Sequence, residues 1–315
     1  MNVLIVGASL IGSQVARVLV ENGQRPVLFD KAHQHSAIAD IVDLASVDIE
    51  IGDILRPLEL VSVAQKYEIT DIVHLAANPM LTAGAQSNPY AAIELNVMGT
   101  TNILEVARQL QLHRVVMASS SAVIESLDGG GDVDSGDEEA FPRPMTFYGA
   151  TKQVAENLGL NYARAFDLDF VGLRFASVAG PWRGAGGGVP STIFREALCA
   201  AIAGENVEIS HRVLEWLYVK DAATATWLAL QSTDLKSRIF NISMGESISP
   251  YDFRDAMIKV FPECVIEMKD QEKAPSGSAK GGLLNLRRAF EELEYSPTYN
   301  MTEAIRDCAE FYKNL

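Results

Sequence analysis

The chain has 315 residues, of which 48% are apolar and 21% are charged, and its formal net charge is −15 at pH 7. A chain of this length exceeds what one compact core usually holds, so we predict a main domain and a smaller second lobe. The negative charge argues against a nucleic-acid partner, because a polyanion is repelled unless the basic residues gather on one face. No apolar run is long enough to cross a bilayer, so we also expect no membrane partner.

The cysteines and the N-terminal segment indicate a cytoplasmic protein. Cys199, Cys264 and Cys308 are odd in number, widely separated and without metal-ligand spacing, which is typical of reduced thiols and predicts no metal site. Residues 1–20 are apolar enough to resemble a secretion signal, but they lack a basic start and are interrupted by glycines. We therefore interpret them as part of the mature fold.

Short β-branched runs alternate with helical patterns along the chain, which predicts an α/β fold with a doubly wound parallel sheet. The predicted strands are Asn2–Val6, Arg25–Phe29, Asp48–Ile51, Ile72–Leu75, Arg114–Ala118 and Phe170–Phe175. The predicted helices include Gly12–Glu21, Leu58–Tyr67, Tyr90–Leu110 and Tyr148–Phe166. Two glycine-rich loops, Asp128–Glu139 and Gly184–Gly188, interrupt the pattern and are candidate covers over a site.

A glycine-rich turn (Gly-Ala-Ser-Leu-Ile-Gly) follows the first strand and opens a helix. It fits the dinucleotide-binding pattern G-x-G-x-x-G, with serine at the middle glycine. Gly7 permits the tight turn, the small Ser9 lets a pyrophosphate approach the backbone, and Gly12 lets helix and strand pack closely. We predict that Gly7, Ser9, Leu10, Ile11 and Gly12 bind a dinucleotide at the helix N-terminus, although glycines also end strands for structural reasons alone.

An acidic residue at the end of the second strand indicates which dinucleotide binds. Asp30 lies about twenty residues beyond the glycine turn, where a carboxylate accepts hydrogen bonds from the adenosine ribose. Its charge would repel a 2′-phosphate, so NAD is favoured over NADP. Lys31, His33 and His35 follow it closely and keep NADP as the alternative cofactor.

Tyr148 and Lys152 are four residues apart in a helical segment, so their side chains lie on one face, one turn apart. A free phenol titrates near pH 10. A neighbouring ammonium, helped by a cationic nicotinamide ring, stabilises the phenolate and makes the tyrosine a usable base. The same spacing also arises by chance on exposed helices. Here, however, the serine run 119–121 follows a predicted strand, and hydroxyls at such strand ends point into the ligand-binding crevice.

The number and order of these motifs resemble the extended short-chain dehydrogenases/reductases of the NAD-dependent epimerase/dehydratase family. The similarity runs from end to end, and the resemblance implies a Rossmann sheet with a smaller C-terminal α/β substrate lobe. The matching segments are 7–12, Asp30, 52–54, 71–77, 96–100, 119–121, Tyr148 with Lys152, 174–181 and 240–243.

The resemblance implies a role for each matching residue at the reaction centre. Tyr148 would be the general base and acid, and Lys152 would bind the nicotinamide ribose and tune the phenol. Ser120 would hydrogen-bond the reacting oxygen, with Ser121 as the alternative catalytic hydroxyl.

Other matching positions are expected to contact or support the cofactor. Asp53 and Ile54, after the third strand, are predicted adenine contacts, with a helix cap as the alternative role of Asp53. Asn96 would steady the helix beside the cofactor, or is a buried polar residue satisfied by the backbone. The strand-end residues that let the cofactor lie close to the backbone are Leu75, Ala76 and Ala77.

Departures from the family pattern indicate the substrate. Ala122 stands where dehydratases place an acid, so dehydration is not expected. Leu214 occupies the position of an arginine that clamps the diphosphate of nucleotide sugars, and Ser177 replaces a frequent asparagine. A charged diphosphate leaving water needs fixed cations or donors, so these losses favour a smaller carbohydrate-like substrate.

A sugar acid or another free polyhydroxy compound fits these departures. Its carboxylate is expected to meet Arg174, Arg183 or Arg212, although Arg174 also has a structural role available against a carboxylate. The predicted substrate contacts are Ser121, Ser177, Arg183 and Arg212, and Trp182 and Trp216 are candidate pocket walls or core residues.

Three functions fit the sequence. The first is a dehydrogenase that passes hydride from a secondary alcohol to NAD, while Tyr148 takes the hydroxyl proton. The second is a nucleotide-sugar epimerase that uses the same tyrosine and retains its cofactor. The third is a dinucleotide-sensing scaffold, whose expected mark is loss of Tyr148 or Lys152, and neither residue is lost.

The domain organisation follows from the same comparison. We predict that residues 1–175 and 213–243 form the NAD-binding Rossmann domain, and that residues 176–212 and 244–315 form the substrate-binding lobe. The resemblance also implies a homodimer through the helices predicted at Tyr90–Leu110 and Tyr148–Phe166.

Overall fold

The computed structural model describes residues 1–32, 34–78, 80–124, 136–209, 214–269 and 283–314. A seven-stranded parallel sheet is the centre of the fold, with strands in the order β10-β6-β5-β4-β1-β2-β3. Its strands are β1 (Val3–Val6), β2 (Val27–Asp30), β3 (Asp48–Ile51), β4 (Asp71–His74), β5 (Arg114–Ser120), β6 (Asp169–Phe175) and β10 (Ile239–Ile242).

The remaining strands lie in two small sheets, one with the order β11-β9-β7 and one pairing β12 with β8. Their bounds are β7 (Ser177–Ala179), β8 (Val207–Ile209), β9 (Leu214–Tyr218), β11 (Ser247–Ile248) and β12 (Ile266–Met268). The helices are α1 (Leu10–Glu21), α2 (His35–Ala39), α3 (Pro57–Lys66), α4 (Leu81–Ser87), α5 (Pro89–Ile93), α6 (Gly99–Gln109), α7 (Phe147–Phe166), α8 (Gly188–Ala203), α9 (Val219–Gln231), α10 (Pro250–Val260), α11 (Arg287–Leu293) and α12 (Met301–Lys313).

The central sheet is buried on both faces, which is why its strands are continuous apolar runs rather than alternating ones. All four residues of β1 are buried, and two apolar clusters cover the two faces of the sheet. Reversal of the strand order beside β1 makes this sheet doubly wound, so the predicted Rossmann fold class is confirmed. Each predicted strand is present to within one or two residues.

The predicted continuous helix Tyr90–Leu110 is wrong in detail. The segment is instead α5, a π-helical turn at Glu94–Met98, and α6. Such turns carry one extra residue and are frequent at functional sites. Asn96 lies in this turn, and its side chain is buried and hydrogen-bonded to two other elements.

A third apolar cluster lies in the smaller lobe. It is built from α8, α10, α12 and the small sheets, and Trp216 stacks on Phe253 with ring centroids 6.1 Å apart. Trp182 and Trp216 are each 1% exposed, so both rings are core residues rather than open pocket walls.

The segment 214–243 contributes to both parts of the molecule. Strand β9 pairs within a small sheet, whereas α9 packs on α1 and β10 joins the central sheet. None of the helices in the described part of the chain is both long and apolar enough to span a membrane. Among the same residues, no group of three or more His, Cys, Asp or Glu side chains is placed to hold a metal ion.

Candidate active site

The glycine turn after β1 leaves no room for side chains at its two glycines. Gly7 has φ +108°, and a Cβ built on it would lie 2.8 Å from the Ala76 backbone nitrogen. A Cβ on Gly12 would lie 2.0 Å from the Gly7 carbonyl oxygen. The turn therefore lies directly against the end of β4, where Leu75, Ala76 and Ala77 are half-buried. Together they form a backbone cradle of the kind that fits a dinucleotide, beside the start of α1 at Leu10 and Ile11.

The Asp30 carboxylate joins the ends of β1 and β2. It accepts hydrogen bonds from the backbone N–H of Ala8 at 2.8 Å and of Ala32 at 3.2 Å. The acidic group thus lies at the cofactor turn, within the crevice where the sequence places the adenosine ribose.

The neighbouring lysine is already paired. Lys31 Nζ lies 2.8 Å from Asp53 Oδ2, and this carboxylate raises the pKa of the lysine. Partial neutralisation by Asp53 weakens the attraction of Lys31 for a 2′-phosphate, which favours NAD. Asp53 also accepts from the Leu55 N–H at 2.9 Å, and Ile54 is buried beneath Gly99. His33, the other basic candidate, lies outside the described residues.

Tyr148 and Lys152 lie on the first turns of α7, and both are buried. Lys152 Nζ is 5.8 Å from the centroid of the Tyr148 ring and donates a 2.7 Å hydrogen bond to the Ala118 carbonyl oxygen in β5. Burial lowers the pKa of Lys152 to about 8, while the negative charge of Glu156 acts in the opposite direction. The ammonium is thus held at a strand end beside the phenol ring.

Ser120 ends β5, on the same side as the catalytic pair. Its hydroxyl accepts from the Ala122 N–H at 3.2 Å and caps the short 3₁₀ turn Ser121–Val123. Tyr148 packs with Ala122, and a Cβ on Gly149 would lie 2.3 Å from the Ala122 carbonyl oxygen. The structure therefore brings Ser120, Ser121, Tyr148 and Lys152 to one edge of the sheet.

Asn96 links the segment after β4 to α7. Its Oδ1 accepts from the Asn78 N–H at 3.0 Å, and its Nδ2 donates to Thr151 Oγ1 at 3.0 Å. Thr151 lies between Tyr148 and Lys152, so this amide fixes α7 relative to the residues after β4. The sequence motifs indicated Asn96 but not Asn78 or Thr151, because such contacts appear only once the helices are packed.

His74 completes this buried network. Its Nε2 lies 2.9 Å from Thr100 Oγ1, and the Thr100 hydroxyl donates to the Asn96 carbonyl oxygen, so Nε2 carries the proton. Burial, together with the positive charge of Lys152, lowers the pKa of His74 to about 3. The imidazole is therefore neutral at physiological pH.

Of the predicted substrate arginines, the two that the structure describes are both paired with carboxylates. Arg174 forms a two-point ion pair with the buried Glu156, and Arg183 forms one with Asp40, at 2.8 and 2.7 Å. Ser177 is half-buried at the start of β7, and Arg212 lies outside the described residues. Sequence patterns missed Glu156, whose signal was a carboxylate one turn beyond Lys152 on an otherwise apolar helix face.

The glycine loop 184–188 lies across the start of α1. The Ala185 N–H donates to Gln34 Oε1 at 2.5 Å, and a Cβ on Gly187 would lie 3.4 Å from Leu10 Cδ2. A Cβ on Gly186 would lie 3.8 Å from Ser9 Cβ. This loop thus lies next to the glycine turn, and its role as a cover stays a prediction. Of the other candidate cover, Asp128–Glu139, positions 128–135 lie outside the described residues.

Comparison with known proteins agrees with this geometry. The model of the NAD dependent epimerase/dehydratase family matches residues 3–243. A UDP-glucuronate 4-epimerase of Arabidopsis thaliana is 23% identical over 99% of this chain and 76% of its own. The crystal structure of a Brucella ovis UDP-glucose 4-epimerase with NAD is 25% identical, with a TM-score of 0.81 over 99% of this chain and 98% of that one. A consensus L-threonine 3-dehydrogenase shares the fold, with 23% identity and a TM-score of 0.86 over the full length of both chains.

Proposed function

Because the chain belongs to the NAD-dependent epimerase/dehydratase family, we propose that it transfers hydride between a secondary alcohol of a carbohydrate-like substrate and NAD. The observation that carries this proposal is the buried Tyr148–Lys152 pair at the end of β5, beside a cradle that fits the cofactor. Both side chains needed for proton transfer are present, which argues against a scaffold with a degenerate site.

The residues of this chain would handle the proton and the reacting oxygen. Bound NAD supplies the hydride acceptor. Tyr148 takes the hydroxyl proton, Lys152 stabilises the phenolate through its charge, and Ser120 donates a hydrogen bond to the oxygen as it becomes a carbonyl. Acid–base participation of this kind typically contributes about 10²–10⁴-fold to the rate.

The first candidate is a dehydrogenase for a free sugar, a sugar acid or a similar polyol. Leu214, which the family resemblance aligns with the arginine that clamps a diphosphate, lies in β9 opposite Ile248, and its apolar side chain supports a substrate without a diphosphate. Ser121 and Ser177 remain candidate substrate contacts, together with Arg212, which lies outside the described residues, whereas the Arg183 guanidinium is already paired with Asp40. A dehydrogenase should release reduced cofactor in proportion to the alcohol consumed.

The second candidate is a sugar epimerase that retains NAD. The loop at 184–188 favours it, because a cover tied to Gln34 and Asp40 over the cofactor turn would slow cofactor release. The names of two similar proteins, a UDP-glucuronate and a UDP-glucose 4-epimerase, point the same way.

The test is a screen of purified protein with NAD and with NADP against free sugars, sugar acids and nucleotide sugars. Absorbance of the reduced cofactor reports net oxidation, and mass spectrometry with chromatography reports carbonyl products and epimers. Free NADH from one of these alcohols would identify a dehydrogenase, whereas an epimer without net reduction would identify an epimerase. If no compound of these classes is converted, the proposed function is wrong.

We also propose that the protein forms a homodimer through α5, α6 and α7. These helices and the π-helical turn pack against one another, and apolar side chains remain exposed on them, including Tyr90 (78%), Ile93 (48%), Met98 (51%) and Val154 (44%). Met98→Glu should therefore shift the molar mass in light scattering from dimer to monomer, and a monomeric unsubstituted protein would contradict the proposal.

A further inference from the structure

We propose that Arg174 and Glu156 are positioning residues for Lys152. In this arrangement the arginine holds the Glu156 carboxylate away from the lysine ammonium, which stays directed to the end of β5 beside Tyr148. The inference rests on the proposed role of Lys152 and names a further pair on which that role depends.

Both carboxylate oxygens of Glu156 accept hydrogen bonds from donors other than Lys152. Oε1 accepts from Ser119 Oγ at 2.5 Å and from Arg174 Nε at 2.8 Å, and Oε2 accepts from the second arm of the same guanidinium at 2.8 Å. Both side chains of the ion pair are 5% exposed. Two-point binding by a planar guanidinium fixes the direction of a carboxylate as well as its distance.

Without the ion pair to Arg174, the Glu156 carboxylate could pair with Lys152 instead. Glu156 follows Lys152 by four residues on α7, the spacing at which opposite charges on a helix meet. Lys152 is 4% exposed, and charges attract far more strongly in such a setting than in water. A released carboxylate would therefore draw the ammonium along the helix, away from the Ala118 carbonyl oxygen.

The strand pairing explains how Arg174 reaches this point. Arg174 in β6 lies opposite Ser119 in β5, so guanidinium, carboxylate and Ser119 hydroxyl meet one residue before Ser120. The Arg174 guanidinium also donates to the Glu138 carbonyl oxygen at 3.2 Å. The pair thus connects the catalytic strand end, the catalytic helix and the segment that begins at Gly136.

Burial lowers the pKa of Lys152 and the negative charge of Glu156 raises it, and four ionisable groups lie on the elements packed around the ammonium. Tyr148 and Glu156 lie on its own helix, His74 lies in β4, and Arg174 lies in β6. His74 is neutral near physiological pH, because burial keeps its pKa near 3. The position of the Glu156 carboxylate is therefore the variable that would move the pKa of Lys152.

The discriminating variant is Arg174→Lys, which keeps the positive charge but cannot hold both carboxylate oxygens. The pKa of Lys152 would be measured by NMR on protein with ¹³C-labelled lysine, with the signal assigned through Lys152→Arg. We expect the pKa of Lys152 to rise by about one unit in Arg174→Lys, and the further change Glu156→Gln to remove that rise.

Arg114→Lys is the matched control. Arg114 is another buried arginine paired with a carboxylate, since its Nε and Nη2 both donate to Asp169 Oδ2, but it lies at the opposite end of β5. It should leave the pKa of Lys152 unchanged.

A folded Arg174→Lys protein with an unchanged Lys152 pKa would overturn the proposal, as would a rise that persists with Glu156→Gln. If Arg174→Lys fails to fold, Glu156→Gln alone decides: the proposal expects a lower Lys152 pKa, and an unchanged one overturns it. The titration uses no substrate, so its failure is distinguishable from failure of the proposed function.

Discussion

Gly12 shows how a single missing side chain shapes the cofactor cradle. A Cβ at this position would lie 2.0 Å from the Gly7 carbonyl oxygen, a contact that no rotation of a side chain can relieve. Gly12→Ala should therefore displace the turn and weaken NAD binding at least tenfold, or by about 1.4 kcal/mol. Isothermal titration calorimetry with NAD would measure this loss.

Gly172→Ala is the control for that experiment. Its added Cβ would meet the Ile239 Cδ1 atom at 2.7 Å, which is the far end of a flexible side chain in the neighbouring strand. We expect nearly unchanged NAD affinity in this variant. Equal affinity losses in the two variants would contradict the cradle at the glycine turn.

At the residue scale, the sequence predicted site residues wherever a motif requires particular residue types at fixed positions. Gly7, Gly12, Tyr148, Lys152 and Asn96 all lie at the predicted edge of the sheet. Residues that act through long-range contacts could not be predicted in this way, because no local pattern records the partner. Arg183 was assigned to the substrate from its charge, yet its guanidinium meets Asp40, which lies 143 positions away.

At the scale of elements, the glycine loop at 184–188 and the preceding Arg183 connect the smaller lobe to residues near the cofactor turn. Arg183 binds both carboxylate oxygens of Asp40, and the next turn of chain is tied to Gln34. Exposed pairs of this kind contribute about 0.2–1 kcal/mol each. Arg183→Ala combined with Gln34→Ala should accordingly speed NAD dissociation by about two- to tenfold, which stopped-flow fluorescence with bound NADH would detect.

Arg25→Ala is the matched control for this double variant. Arg25 makes a two-point pair with Asp48 that is somewhat more exposed than the Arg183–Asp40 pair, and it lies near the end of β2 opposite to Asp30. It should leave the dissociation rate unchanged. If the double variant releases NADH at the unsubstituted rate, the loop does not retain the cofactor.

Helices and strands could be predicted where the spacing of apolar residues in the sequence agrees with their burial in the fold. The parallel strands appear as apolar runs because helices cover both faces of the sheet, and α7 buries one face between Tyr148 and Gly159. The π-helical turn at Glu94–Met98 was not predictable, since it depends on the partners that Asn96 finds in the segment after β4 and in α7 rather than on local composition.

At the scale of the whole molecule, buried His74 links stability to pH. The unfolded chain binds a proton on this imidazole below its ordinary pKa of 6.5, whereas the folded protein does so only near pH 3. Stability contributed by the neutral imidazole is therefore present above pH 6.5 and falls as the pH drops towards 3. Between pH 7 and pH 5 this loss amounts to about 2 kcal/mol.

His74→Gln removes the titrating ring but keeps a donor for Thr100. Urea unfolding of both proteins at pH 7 and pH 5 should show a smaller loss of unfolding free energy in the variant. A loss of the same size in both proteins would show that the buried imidazole does not titrate as described.

The division into a central-sheet domain and a smaller lobe could be predicted only in part from the sequence. The central sheet follows from alternation, but β9 pairs within a small sheet although it lies between segments of the large domain. Long-range pairing of this kind depends on the packed aromatic core around Trp216 and Phe253, which no local pattern reveals.

The most direct test of the central claim compares Tyr148→Phe with the unsubstituted protein in NAD-dependent turnover of a converted carbohydrate. Tyr162→Phe, on the same helix but hydrogen-bonded to Glu105, serves as the control. We predict that Tyr148→Phe loses at least about 100-fold in turnover while NAD affinity is preserved, and that Tyr162→Phe retains activity. Undiminished turnover in Tyr148→Phe would contradict the assignment of this tyrosine as the acid–base group.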